Sequence, residues 1–199
     1  QLKQCDWSDL DAALGENLRR FVYGKIEEFI NTDAAVPKTS MRFSESIFQG
    51  IPKLFYVTVL VGYKMGFGFA TNIHHKGLLI GADKFGHFLD EGHDFYHLVY
   101  TFNMKIEDVL ALSLFSEESI AGKWTSGITS YADLAANYDG FRFWIDVLGE
   151  PSDRSKSKFF SCKDGFWGVQ RPIDLAEYIN PAWDEGMNCS DFRTAEFTQ

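Results

Sequence analysis

Apolar residues recur along much of the chain with the 3.6-residue rhythm of amphipathic helices, and stretches of strict alternation are not evident. Leu10, Leu14, Leu18, Phe21, Val22 and Ile26 mark the inner side of a first helix, with Ser8 or Asp9 as its cap. Residues Asn31–Ser46 read as a loop, and a second helical stretch follows from about Ser46, with Pro52 tolerated near its start. Leu54–Ala70 is the most apolar run. It contains Lys64 and several glycines and falls short of the roughly 20 clean apolar residues of a membrane span, so it predicts a buried core helix.

Thr71–Asp83 turns the chain. A long helix is predicted over Asp83–Tyr100, with Phe85, Phe88, Leu89, Phe95, Tyr96 and Val99 on its apolar side and Gly86 and Gly92 marking close approach of another helix. Asn103 is placed as cap of the next helix, with Ile106, Val109, Leu110, Leu112 and Phe115 apolar and Glu107 and Asp108 in the first turn. Ala121–Ser130 reads as a polar turn or residual β-ribbon. Ser130 then caps a helix over Tyr131–Gly149, with Leu134, Tyr138, Phe141 and Trp144 inward. Beyond Gly149 the chain reads as loop, a short helix at Pro172–Ile179 and an irregular tail. The expectation is a mainly α fold in a single domain over residues 1–199, with 150–199 a loop-rich extension packed on it.

Composition narrows the function. The chain has 199 residues, 45% hydrophobic and 16% aromatic, enough for a sizeable core. A net charge of −9 argues against binding a phosphate backbone. The three cysteines, Cys5, Cys162 and Cys189, include no CxxC pair, so a structural zinc site is not expected. One disulfide, Cys162–Cys189 with Cys5 left over, competes with three reduced thiols. The chain begins at Gln1 without an n-region or h-region, which is read as a signal peptide already removed or a trimmed chain.

Two stretches carry candidate chemistry. In Asp83–His97, Asp83, His87 and Glu91 follow one another at i, i+4 on one face, and Asp90/His93 and Asp94/His97 form acid–histidine pairs at i, i+3. A di-iron bundle uses such groups but needs matching Glu-x-x-His pairs from other helices, which this chain lacks. A buried polar network is therefore the simpler expectation, with a share in a catalytic cleft as the alternative. In Phe115–Lys123 (FSEESIAGK), two adjacent glutamates close a helix. The negative end of the helix dipole, the like charge next door and burial against Phe115, Ile120 or Trp124 would all push a carboxyl there up. A glycosidase general acid needs that property, although from these residues alone a solvated acidic helix end is the simpler expectation.

Ser116-Glu117-Glu118-Ser119-Ile120-Ala121-Gly122-Lys123 resembles the catalytic stretch of goose-type lysozymes, Ser-x-Glu-Ser-x-Ala-Gly-Lys, whose glutamate is the general acid. The match sets that role on Glu118, with Glu117 as a neighbour. Gly127-Ile128-Thr129-Ser130 stands where those enzymes and soluble lytic transglycosylases have Gly-Leu-Met-Gln after a β-hairpin. Two departures are plain. Only eight residues separate Glu118 from Gly127, leaving almost no hairpin, and Thr129 and Ser130 replace the methionine–glutamine pair that contacts sugar. The chain is also similar to divergent lysozyme-superfamily enzymes of predatory bacteria that favour N-deacetylated peptidoglycan.

The resemblance implies a lysozyme-like helical domain with a reduced β-hairpin. It implies a secreted or periplasmic glycosidase acting on peptidoglycan glycan strands, monomeric and not inserted in a membrane. Neither cofactor nor metal is called for. Glu91, first, or Asp133 would be the second carboxylate. Glu117, Trp124, Ser130, Tyr131 and Tyr138 are candidate substrate contacts, and Asp90 and Asp94 could join the acids in attracting a glucosamine ammonium. The expected reaction is hydrolysis of the muramidase type, with a lytic transglycosylase as the alternative. The competing expectations are a helical metal protein built on Asp83, His87, Glu91, His93 and His97, and a non-catalytic wall-binding module.

Overall fold

The structure is a computed structural model. It describes residues 5–19, 25–39, 44, 71–119, 128–184 and 190–192. The helical stretch from Ser46, the apolar run Leu54–Ala70, Trp124, the Ala121–Gly127 segment with its reduced hairpin, and Cys189 lie outside the described residues.

Among the described residues the fold is mainly α with small antiparallel sheets. Helix α1 (Trp7–Leu18) is capped by Asp6, whose carboxylate accepts the Ser8 amide at 2.8 Å, rather than by Ser8 or Asp9. It ends at Arg19, whose backbone is extended, and α2 (Lys25–Thr32) is separate. The apolar rhythm that predicts one helix through Ile26 therefore spans two.

Strand β1 (Lys38–Thr39) pairs with β2 (Asn72–His75), which pairs in turn with β3 (Leu78–Gly81). The sequence predicted no strands here. The β2–β3 turn places Lys76 and Gly77 at φ 49° and 87°, the double left-handed geometry of a tight hairpin.

Residues 83–100 form one helical column, as expected. Helix α3 (Asp83–Gly86) passes into a π-helical turn (His87–Glu91) and then α4 (Gly92–Tyr100). Helix α5 (Ile106–Glu118) starts after Lys105 instead of being capped by Asn103, which sits in left-handed backbone at φ 56°. Strand β4 (Ile128–Thr129) precedes α6 (Tyr131–Leu148), where Ser130 Oγ accepts the Asp133 amide at 3.3 Å, the cap foreseen.

The stretch after Gly149 holds more structure than a loop. Strands β5 (Phe160–Lys163) and β6 (Phe166–Val169) form a hairpin around Asp164-Gly165, and β7 (Asp191–Phe192) pairs with β4. The short helix expected at Pro172–Ile179 is a 3₁₀ turn, Leu175–Glu177.

Helix α6 is the central element. It meets the π turn and α4 so closely that a Cβ on Gly140 would stand 2.0 Å from the Phe88 carbonyl oxygen, and one on Gly92 would stand 2.5 Å from Gly140. The approach foreseen at Gly92 is thus present. Phe88 packs on Phe143, Trp183 and Tyr178 with ring centroids 5.0, 5.3 and 5.6 Å away, and the Trp144 indole donates to the Leu89 carbonyl at 3.0 Å. Phe159, Tyr178 and Trp183 belong to the same core. A disulfide joins Cys5 to Cys162 across 157 positions. This pairing replaces the one expected between Cys162 and Cys189, and with the Trp7–Trp167 edge contact at 4.6 Å it fastens α1 to the β5–β6 hairpin.

Candidate functional site

Three helices each turn an i, i+4 pair into one polar pocket. The π turn supplies His87 and Glu91, α6 supplies Asp133 and Asn137, and α5 supplies Ser113 and Glu117. Helical periodicity stacks residues four apart on one face, which is why short-range sequence spacing builds this site. His87 Nδ1 lies 2.9 Å from Glu91 Oε2 and 3.1 Å from Asn137 Oδ1, while its Nε2 faces Asp133 Oδ2 at 3.4 Å. Asn137 in turn donates to Ser113 Oγ at 3.2 Å. Lys84, only 2% exposed, sets its ammonium 2.5 Å from Asp133 Oδ1 and 2.9 Å from Asp83 Oδ2.

The charges of this pocket are interlocked. Burial pushes His87 down, but the Asp133 and Glu91 carboxylates outweigh it and hold the imidazolium well above its usual range. Burial pushes Glu91 up, and His87 outweighs that in turn, so Glu91 stays ionised. Among the described residues Glu117 has no such partner. Burial first, then the charges of Asp133 and Glu91, push it up to about 7. Glu27, reaching in from α2, is likewise raised to about 7 by burial and by Asp83 and Asp90. Two cations, Lys84 and His87, already face three carboxylates, and a proton on Glu117 avoids a further buried negative charge.

Environments that separate the titration of neighbouring carboxyls are the electrostatic pattern of acid/base sites. Here the protonated member is Glu117 and the ionised one is Glu91.

The expected second carboxylates, Glu91 and Asp133, are thus brought together, and the glutamate they act on is Glu117. Glu118, the residue matching the lysozyme motif, ends α5 on the solvent side, exposed together with Phe115, whereas Glu117 is 7% exposed. Val109, Ser113 and Glu117 form the inward stripe of α5, leaving the apolar Leu112 and Phe115 exposed at 51% and 66%. Ser130 is committed to capping α6, Tyr131 is half-buried at its start, and Tyr138 is 41% exposed instead of inward. Asp139, on the same helix, takes the Trp183 indole at 3.0 Å and the Asn180 amide at 2.6 Å and has a structural role.

The i, i+3 acid–histidine pairs do not form as expected. Asp90 and Asp94 both bind Arg19, at 3.3 and 2.8 Å. His93 and His97 instead meet Asp11 of α1, with His93 Nε2 at 2.6 Å from Oδ1 and His97 Nε2 at 3.1 Å from Oδ2. The five residues of the competing metal reading are therefore divided between two clusters. In the first, Asp83, His87 and Asp133 offer donors within 4.8 Å of one another. There Lys84 already occupies two of the carboxylates and both His87 nitrogens face acceptors, so a cation would have to displace the ammonium.

Lys84, Asn137, Ser113, Glu27, Asp11 and Arg19 were not anticipated. For Asn137 and Ser113 the signal was present, four residues from Asp133 and Glu117. Asp11, Arg19 and Glu27 come from helices distant in sequence and left none. No protein-family model, curated protein or solved structure matches the chain.

Proposed function

We propose that the protein is a peptidoglycan-cleaving glycosidase of lysozyme-like fold, with Glu118 as the general acid and Glu91 or Asp133 as the second carboxylate. The observation that carries the reading is that Glu117 and Glu118 end α5, with Glu117 facing the charges of Asp133 and Glu91. A proton donor must reach the glycosidic oxygen, and the exposed Glu118 is open to a bound glycan in a way Glu117 is not. The acids around the pocket suit an N-deacetylated substrate, whose glucosamine carries an ammonium. Secretion or a periplasmic location belongs to the same proposal.

One observation favours a second version. Glu117 is the carboxyl held near neutrality, so it could itself be the acid if substrate binding opens its cover.

Digestion of acetylated and chemically deacetylated peptidoglycan, with products identified by mass spectrometry, tests the class of reaction. Soluble muropeptides are expected, released faster from the deacetylated wall. Reducing ends would indicate hydrolysis, and anhydro ends a lytic transglycosylase. Binding without release of fragments would instead identify a non-catalytic wall-binding module.

A further inference from the structure

Away from that pocket, we infer that Asp11, His93 and His97 form a binding site for a divalent transition-metal ion, zinc being the best match. Two imidazoles and a carboxylate are the donor set borderline metals prefer, and oxygen-seeking calcium or magnesium does not. His93 and His97 stand at i, i+4 on α4, so both rings project from one face, and their Nε2 atoms are 3.3 Å apart. Asp11 Oδ2 is 3.1 Å from His97 Nε2, and Asp11 Oδ1 is 2.6 Å from His93 Nε2. Ligands at zinc bond lengths near 2.0–2.1 Å in a tetrahedron are about 3.3 Å apart, which the two imidazole nitrogens already match, and one donor atom from each of the three residues lies within 4.8 Å of the others.

The surroundings are those of a built site. The Nδ1 of His97 lies 3.0 Å from the Thr101 hydroxyl, a partner that can hold its proton and leave Nε2 free for a metal. His93 is buried edge-on against Trp144, ring centroids 4.4 Å apart. Asp11 rides on α1, which the Cys5–Cys162 disulfide and the Trp7–Trp167 contact hold in place. His97 is one-third exposed, which leaves the side of a fourth ligand, water or substrate, open to solvent.

Arg19 opposes the metal. Its guanidinium contacts His93 Nδ1 and can only donate, so the His93 proton rests on Nε2, toward Asp11. Metal binding displaces that proton and requires Nδ1–H, so Arg19 must withdraw onto Asp90 and Asp94, which already hold its other nitrogens. Arg19 thus sets the affinity, and a glutamine there would offer an acceptor instead.

The test is zinc titration of the full chain by calorimetry with chelator competition, together with visible spectra of the cobalt-loaded protein. One equivalent of zinc is expected to bind, with tetrahedral cobalt bands. His97→Ala and Asp11→Asn should each weaken binding about 100-fold, and Arg19→Gln should tighten it about tenfold. Calcium and magnesium should not compete. Zinc affinity unchanged in both His97→Ala and Asp11→Asn, or octahedral aquo-type cobalt spectra in the wild type, would overturn the assignment. Circular dichroism of each variant separates a lost ligand from a lost fold.

Discussion

Replacing Glu117 by glutamine isolates the electrostatic argument from catalysis. The Glu117 carboxyl titrates at about 7 in the folded protein against an ordinary 4.5. A group raised in this way binds its proton more tightly when folded. It is neutral in its effect below about pH 4.5, where both states are protonated, and it destabilises progressively as pH rises toward 7. Each unit of displacement is worth about 1.4 kcal/mol, so the folded state loses about 3 kcal/mol by pH 8. Allowing for residual solvent screening, about 2–3 kcal/mol is the working figure. Glutamine carries no charge to bury, so Glu117→Gln should gain about that much stability over the wild type at pH 8 and almost none at pH 4.5. For a chain of this size the gain corresponds to roughly 5–10 °C in Tm. Urea or thermal unfolding at both pH values measures it, with the solvent-facing Glu118→Gln, expected within about 0.5 kcal/mol of wild type, as control. A Glu117→Gln protein no more stable than wild type at pH 8 would refute the cost of burying the Glu117 carboxylate.

Other consequences are direct. Gly140→Ala must push α6 more than 1 Å off the π turn, since its Cβ would stand 2.0 Å from a backbone oxygen, and at least about 3 kcal/mol should be lost in denaturant titration. Lys84→Met removes one of the two cations that face Asp133 and should cost about 3–5 kcal/mol at neutral pH, read from the same unfolding curves. Cys5→Ser opens the long Cys5–Cys162 loop and should lower stability by up to about 5 kcal/mol, while peptide mapping under non-reducing conditions recovers the Cys5–Cys162 linkage from the wild type.

The helices were legible where one face stays buried along the whole element. The 83–100 column and α6 with its Ser130 cap follow from apolar spacing and a side chain acting on its nearest amides. The break at Arg19 was not legible, because the apolar rhythm runs through it into a second helix. Both hairpins escaped a search for alternation because their strands are only four residues long. Their turns carried the signal instead, Lys76-Gly77 and above all Asp164-Gly165, whose left-handed backbone suits glycine. The i, i+4 geometry of Asp83, His87 and Glu91 was readable, but the partners of His93 and His97 were not, since Asp11 arrives from a helix more than 80 residues away. At the glutamate pair, the sequence motif points to Glu118 and the helix face points Glu117 inward. Adjacent residues on a helix look in directions about 100° apart, so only one of the two can be buried. The motif and the burial therefore single out different members of the pair.

The most direct test of the central claim is the turnover of deacetylated peptidoglycan by Glu118→Gln beside Glu117→Gln, with soluble fragments quantified and each variant shown to be folded. The account predicts that wild type releases muropeptides, that Glu118→Gln falls by at least about 100-fold, and that Glu117→Gln keeps a substantial rate. Full activity in folded Glu118→Gln would contradict it, and so would a wild-type protein that releases nothing from either wall.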